Sequence, residues 1–248
     1  MRSALRIALV ALCLVGVRPH APAAQETSTA PTQANPAPEP APAPPPEPPA
    51  EPVTYSFEID AAIVPTERAA RVSLHVRSGA KHVQRIRFRI DPNRHSDFKG
   101  DGEVEVTDTF AYWRPPSQGG SLHYRFGIDH LRDARSYDAR CTSSWAIFRG
   151  DDLVPPARTE TTPGAQSRTR LRLRLPNGWS AATPYPQAGQ GRYRIEHPAR
   201  LFDRPTGWIL VGRIGTVREQ IGETHVTIAG PARQKLRRGD LLAMLQWT

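Results

Sequence analysis

From Val53 onward, apolar side chains recur at every second residue. Val53, Tyr55, Phe57 and Ile59 alternate with Thr54, Ser56, Glu58 and Asp60. Successive side chains on an extended chain point to opposite faces, so a period of two describes a strand with one face on a core and the other in water. The pattern returns at Val72, Leu74 and Val76, and at Leu122, Tyr124, Phe126 and Ile128. Ile86, Phe88 and Ile90 alternate with Arg85, Arg87 and Arg89, and Leu171, Leu173 and Leu175 with Arg170, Arg172 and Arg174; Val226 and Ile228 close the series. Turn-forming clusters separate the runs, among them Asp91-Pro-Asn93, Lys99-Gly-Asp-Gly102, Ser117-Gln-Gly-Gly120, Pro176-Asn-Gly178 and Ala188-Gly-Gln-Gly191. Half-apolar strands need a second layer to cover them. The fold expected is therefore all-β: an antiparallel β-sandwich over residues 53–230, or a curved saddle-like sheet with one face covered. Helical signal is confined to residues 231–248, where Asp240 is placed to cap Leu241-Leu-Ala-Met-Leu245. A short helix this apolar calls for a neighbour, and the segment reads as a helical terminus that begins a second domain.

The first 52 residues follow other rules. Arg2 and Arg6 precede an apolar run from Ile7 to Val17 and then Ala21-Pro-Ala-Ala24, the layout of a secretory signal peptide over residues 1–23 with cleavage after Ala23. Such a run reaches only about half the hydrocarbon core of a bilayer, so removal is expected rather than a transmembrane anchor. Leu12 stands where a lipoprotein reading of Cys13 would want a small residue. The mature chain is accordingly expected outside the cytoplasm, periplasmic or secreted. Residues 24–52 are rich in proline, alanine and glutamate and lack large apolar side chains, so they cannot bury enough surface to offset their ordering entropy. They are read as a disordered, polyproline-rich linker.

Charge and cysteine narrow the partners. Arg2, Arg6 and Arg18 leave with the leader, while Glu26, Glu39, Glu47 and Glu51 lie in the linker, so the formal charge of +9 for the whole chain becomes +10 for residues 53–248. A basic exported domain suits anionic polymers of the cell envelope. Nucleic acid is not expected, because Tyr112, Trp113, Tyr124 and Phe126 fall in no single-strand or groove-reading motif. Cys141 is the one cysteine left after the leader, so no internal disulfide can form; it reads as a buried structural thiol.

Motifs for catalysis are missing. The sequence contains no H-E-x-x-H to hold zinc on one helix face, no G-x-S-x-G elbow, and no phosphate-cradling glycine loop ahead of a helix. The eight histidines are scattered. No catalytic residue, metal ligand or cofactor is expected on these grounds. The binding candidates are Arg85, Arg87 and Arg89 together with Arg170, Arg172 and Arg174, which would hold an anionic surface partner.

One series of residues carries a resemblance. Leu171-Arg-Leu-Arg-Leu-Pro-Asn-Gly-Trp-Ser-Ala-Ala-Thr183 is followed by Tyr193-Arg-Ile195, by Leu201-Phe-Asp-Arg-Pro205, and by Gly212. Their order and spacing resemble the N-terminal domain of the glycyl aminopeptidase family of zinc peptidases. In that family a strand ends in a proline and Gly-Trp, and a Leu-x-Asp-x-Pro segment precedes strands that run into the catalytic domain. The positions that match are Pro176, Gly178, Trp179, Asp203 and Pro205. This chain has Ile90-Asp-Pro-Asn-Arg94 where the family commonly has a Trp-x-Pro-Gly-x-Tyr-like segment. The resemblance implies a non-catalytic β domain that buttresses a downstream peptidase domain absent from this chain. None of the matching positions belongs to the zinc motif, so no catalytic residue is carried over. The alternative is a stand-alone module that binds anionic envelope polymer through its arginine-rich strands.

Overall fold

A computed structural model describes residues 53–134, 136–197 and 202–246. The leader and linker expected over residues 1–52 lie outside the described residues, as do Leu201 and Trp247. Strands are numbered β1–β17 along the chain.

A six-stranded sheet runs in the order β14 (Arg192–Ile195), β12 (Gln166–Arg174), β1 (Thr54–Val64), β2 (Ala69–Val76), β7 (Gly120–Gly127) and β4 (His95–Gly100). A four-stranded sheet is ordered β11 (Ala157–Thr161), β3 (Val83–Arg89), β6 (Phe110–Arg114) and β5 (Glu103–Val106). A five-stranded sheet is ordered β13 (Ser180–Ala182), β15 (Trp208–Gly212), β10 (Trp145–Arg149), β9 (Ser136–Cys141) and β8 (His130–Asp133). The hairpin β16 (Ile214–Ile221) and β17 (Thr224–Pro231) follows; the described residues also form two α-helices, a single turn α1 (Gly150–Leu153) and α2 (Arg238–Gln246), and two 3-10 turns at Pro65–Glu67 and Ala80–His82.

The period of two is realised strand by strand. Along β1 the side chains Tyr55, Phe57, Ile59, Ala61 and Ile63 are all buried while their neighbours are half-exposed. β12 alternates without a fault, with Ser167, Thr169, Leu171 and Leu173 buried and Arg168, Arg170, Arg172 and Arg174 exposed. Ile86, Phe88 and Trp113 of the four-stranded sheet join Phe57, Leu74 and Phe126 of the six-stranded sheet and Phe148 of the five-stranded sheet in one apolar cluster. Phe126 and Phe148 meet edge to face at 6.1 Å across that core. The sheets thus turn their apolar faces to a common core, the layered all-β arrangement that the alternation predicts.

One pairing departs from the antiparallel rule. β1 pairs in parallel with β12, from Thr54 opposite Gln166 to Ala62 opposite Arg174. A parallel neighbour needs a long crossover rather than a hairpin, and the strands from β2 to β11 supply it. Side-chain alternation reports faces and is blind to strand direction.

Trp113, Trp145, Trp179 and Trp208 are not buried alike. Trp113 is fully buried, its ring Nε1–H donating to the Asp101 carbonyl at 2.8 Å. Trp145, Trp179 and Trp208 are half-buried at the ends of the five-stranded sheet. Those strands have five residues or fewer, too few to cover an indole on all sides. The apolar terminus does find a neighbour. Leu242 is buried, and Leu241 and Leu245 are half-buried, against Val217, Ile221, Val226 and Ile228 of the β16–β17 hairpin. Met244 remains exposed.

Candidate anion-binding site

The outward face of the six-stranded sheet is where polar side chains converge. β12 presents Arg168, Arg170, Arg172 and Arg174 there because its alternate residues fill the core. β14 adds Arg194 directly opposite Arg170, and Arg192 opposite Arg172. On the other side β1 sets Glu58 beside Arg170 and Asp60 beside Arg172. Of these, Arg170, Arg172, Arg174, Arg192, Glu58 and Asp60 line a depression of about 360 Å³ together with His75 and Arg77.

Two carboxylates fix part of this cluster. The Arg174 Nε–H donates to Asp60 at 2.7 Å, and the Arg172 guanidinium lies 3.9 Å from the same carboxylate, whose side chain is only 13% exposed. Arg77 donates to Glu58 at 2.7 Å. Arg170 and Arg192 find no carboxylate among the described residues. Burial, reinforced by Arg77, pushes the His75 imidazole below its ordinary pKa, so it adds no charge at neutral pH. Five arginines face two carboxylates in the depression, a surplus of three positive charges.

Two serine–histidine pairs stand on the same face. His75 Nδ1 lies 2.7 Å from Ser121 Oγ, and His123 Nδ1 lies 2.8 Å from Ser73 Oγ, each pair directly opposed between β2 and β7. A nucleophile of this kind needs an acid to orient the imidazole. Neither imidazole is hydrogen-bonded to a carboxylate among the described residues. No group of three or more His, Cys, Asp or Glu side chains is gathered as a metal site among the described residues. The pairs appear only once the strand register is known, so the sequence offers no local signal for them.

The second arginine set is elsewhere. Arg85, Arg87 and Arg89 lie on β3 in the four-stranded sheet, on the outward side of the other layer. Arg85 donates to Glu160 of β11 at 2.6 Å and lies over the Tyr112 ring, and Arg87 covers the Phe110 ring at 5.0 Å. The two triplets are therefore not one surface. On β3, Arg85 and Arg87 are held by a carboxylate and rings of their own sheet.

The family-like positions form a structural junction. Trp179 N–H donates to the Pro176 carbonyl, closing a turn in which Gly178 takes φ +76°. Asp203 is buried, accepts from the His197 backbone N–H at 3.0 Å, and donates its own N–H to Ser167 Oγ at 2.7 Å. Pro205 is buried against Gly150, where a Cβ would come within 2.9 Å of the Pro205 carbonyl carbon. At Gly212, φ is +140° and a Cβ would lie 2.5 Å from Trp145 Cα, so only glycine fits. Cys141 is buried at the end of β9, its thiol pushed up to about 11 chiefly by burial, as a structural cysteine should be.

Fold and site together define a layered, mostly antiparallel β domain with an arginine-lined depression on one outer face. No family model matches the chain, and no curated protein matches it. Among solved structures, an aminopeptidase N family protein from Idiomarina loihiensis superposes with a TM-score of 0.58 at 14% identity, over 77% of this chain and 35% of that one. An M1 zinc metallopeptidase from Deinococcus radiodurans gives 0.34 at 17% identity, over 79% of this chain and 52% of that one. Aminopeptidase A of Legionella pneumophila gives 0.34 at 10% identity, over 71% and 23%. The likeness to the Idiomarina protein is one of fold, and this chain spans about a third of that protein's length. The resemblance read from Pro176 to Pro205 thus holds at the level of the fold.

Proposed function

We propose that this chain acts as the non-catalytic N-terminal β domain of an exported peptidase-like protein, where it buttresses and borders the substrate cleft of a zinc-peptidase domain. The observation that carries this reading is the fold match, which takes in 77% of this chain and 35% of an aminopeptidase N family protein. The missing H-E-x-x-H in the sequence supports a non-catalytic role. So does the use of Asp203, Pro205 and Gly150 in packing rather than in chemistry. The charged start, apolar run and Ala21-Pro-Ala23 support export.

Two measurements on the full chain expressed in a bacterial host test the proposal. The protein should accumulate outside the cytoplasm with Ala24 as its N-terminus; an intact Met1 on the cytoplasmic protein would refute export. Purified protein should not release the chromophore from aminoacyl p-nitroanilides, before or after incubation with zinc. Zinc-dependent turnover that a chelator abolishes would overturn the non-catalytic role.

A further inference from the structure

The six arginines on the outward face of β12 and β14 impose a cost that the fold does not require. Arg170 stands opposite Arg194 and Arg172 opposite Arg192, and like charges directly opposed across strands destabilise a sheet. Charged residues on an edge strand serve to block unwanted pairing, which accounts for Arg192 and Arg194 on β14. It does not account for β12, which is an interior strand between β14 and β1. Asp60 and Glu58 hold Arg174 and Arg77 in place, while Arg170 and Arg192 keep their donors uncommitted between them. That is a partly preorganised cluster with open guanidinium forks, the geometry that takes up phosphate or carboxylate oxygens.

We propose that this face binds a linear polyanion carrying one phosphate per repeat, of the polyol-phosphate type, laid along β12. Alternate residues of a strand recur about every 6.8 Å, so Arg168, Arg170, Arg172 and Arg174 form a ladder of four charges at that spacing. Phosphates separated by three carbons and two oxygens recur at about the same distance. The one ring lining the depression is the His75 imidazole, which is tied to Ser121 and meets His123 edge to face; no Phe, Tyr or Trp lines it, so it offers no platform on which successive bases could stack, and nucleic acid is not its ligand. This inference is independent of the peptidase-like role, because it concerns a surface and not a cleft shared with another domain.

The test uses the full mature chain and a fluorescent glycerol-phosphate oligomer in anisotropy titrations at low salt. Binding should weaken with salt at a log–log slope of about −2 to −3, as three or four neutralised phosphates of a flexible chain would give. Replacing the two uncommitted arginines together, Arg170→Ser and Arg192→Ser, should weaken binding at least tenfold. Both substitutions relieve like-charge opposition, so the variant should melt no lower than the parent. Arg87→Ser with Arg89→Ser removes the same charge from the other sheet and should change the affinity less than twofold. An equal loss from both pairs would reduce the effect to net charge and overturn the site. So would an absence of binding at low salt, or an affinity for oligo-dT or polyuronate equal to that for the glycerol-phosphate probe.

Discussion

His95 stands at the start of β4 with 5% of its surface exposed, its ring stacked on Phe126 at 5.4 Å. Nε2 lies 2.7 Å from the Asp152 carbonyl oxygen and must donate to it, while Nδ1 lies 3.2 Å from both the Asp91 amide nitrogen and the Asp91 carbonyl oxygen; with Nε2 carrying the proton, Nδ1 accepts from the Asp91 N–H. Those roles describe a neutral imidazole. Burial holds its pKa below the ordinary 6.5, with Arg94 acting in the same sense and the backbone acceptors of Asp152 and Asp91 opposing. Below about pH 6.5 the unfolded chain therefore takes up a proton that the folded one resists, so this contribution to stability is complete above that pH and is lost as pH falls. His75 responds in the same direction. The melting temperature should drop between about pH 7.5 and 5.5, and His95→Gln should flatten that drop while lowering the value at pH 7.5. Equal slopes for the two proteins would show that His95 does not carry the effect. The sequence could not single out this histidine among eight, since its Nε2 partner, the Asp152 carbonyl, lies 57 residues further along the chain.

At the scale of elements, the single turn α1 joins more of the fold than its four residues suggest. Its carbonyls receive His95 from β4 and, at Leu153, the Tyr124 hydroxyl from β7 at 2.7 Å. Arg204 donates to the Asp151 and Val154 carbonyls, and Asp151 accepts the Gly207 N–H at 2.9 Å, so the segment before β15 is tied to the same turn. Asp152 pairs at 2.9 Å with Arg94, a guanidinium side chain only 8% exposed that lies 4.8 Å over the Phe126 ring. The Asp152 side chain is 33% exposed, so removing it leaves a nearly buried guanidinium with only the Gly127 and Ile128 carbonyls as hydrogen-bond partners among the described residues, whereas removing Arg94 leaves a carboxylate that water can reach. Asp152→Ala should therefore cost about 2 kcal/mol, and Arg94→Ala, which also gives up the contact over the Phe126 ring, a similar amount. The double variant should cost less than the sum of the two by about 1–3 kcal/mol, as measured by urea denaturation. Additive losses would mean that the two side chains act separately. Asp151 and Asp152 read as ordinary turn residues in the sequence, because nothing local reveals which carbonyls and guanidinium groups the turn will meet.

At the scale of the whole molecule, what the sequence disclosed and what it withheld follow one physical division. Alternation at Tyr55, Leu74, Phe88 and Leu171 states which face of each strand is buried, since burial is a property of the residue itself. It cannot state that β1 lies parallel to β12 or that Arg170 faces Arg194, since pairing is a relation between distant segments. The second relation governs how the molecule responds to salt. Residues 53–248 carry a formal charge of +10, and much of it is arginine on the outward faces of two sheets. Many ion pairs, such as Arg114–Glu103, Arg194–Glu196 and Arg237–Asp240, are well exposed and contribute little, so their screening removes little. The repulsion among unpaired arginines is the larger part. Raising NaCl from about 0.01 M to 0.15 M shortens the screening length from about 30 Å to about 8 Å, comparable to the distance between neighbouring arginines on β12. The melting temperature of the protein should therefore rise by several degrees over that range. The Arg170→Ser, Arg192→Ser variant should show a smaller rise, because the two cations it lacks have no carboxylate to lose. A melting temperature that falls with salt would mean that the exposed ion pairs outweigh the repulsion, and that the opposed arginines of β12 and β14 are less costly than their register implies.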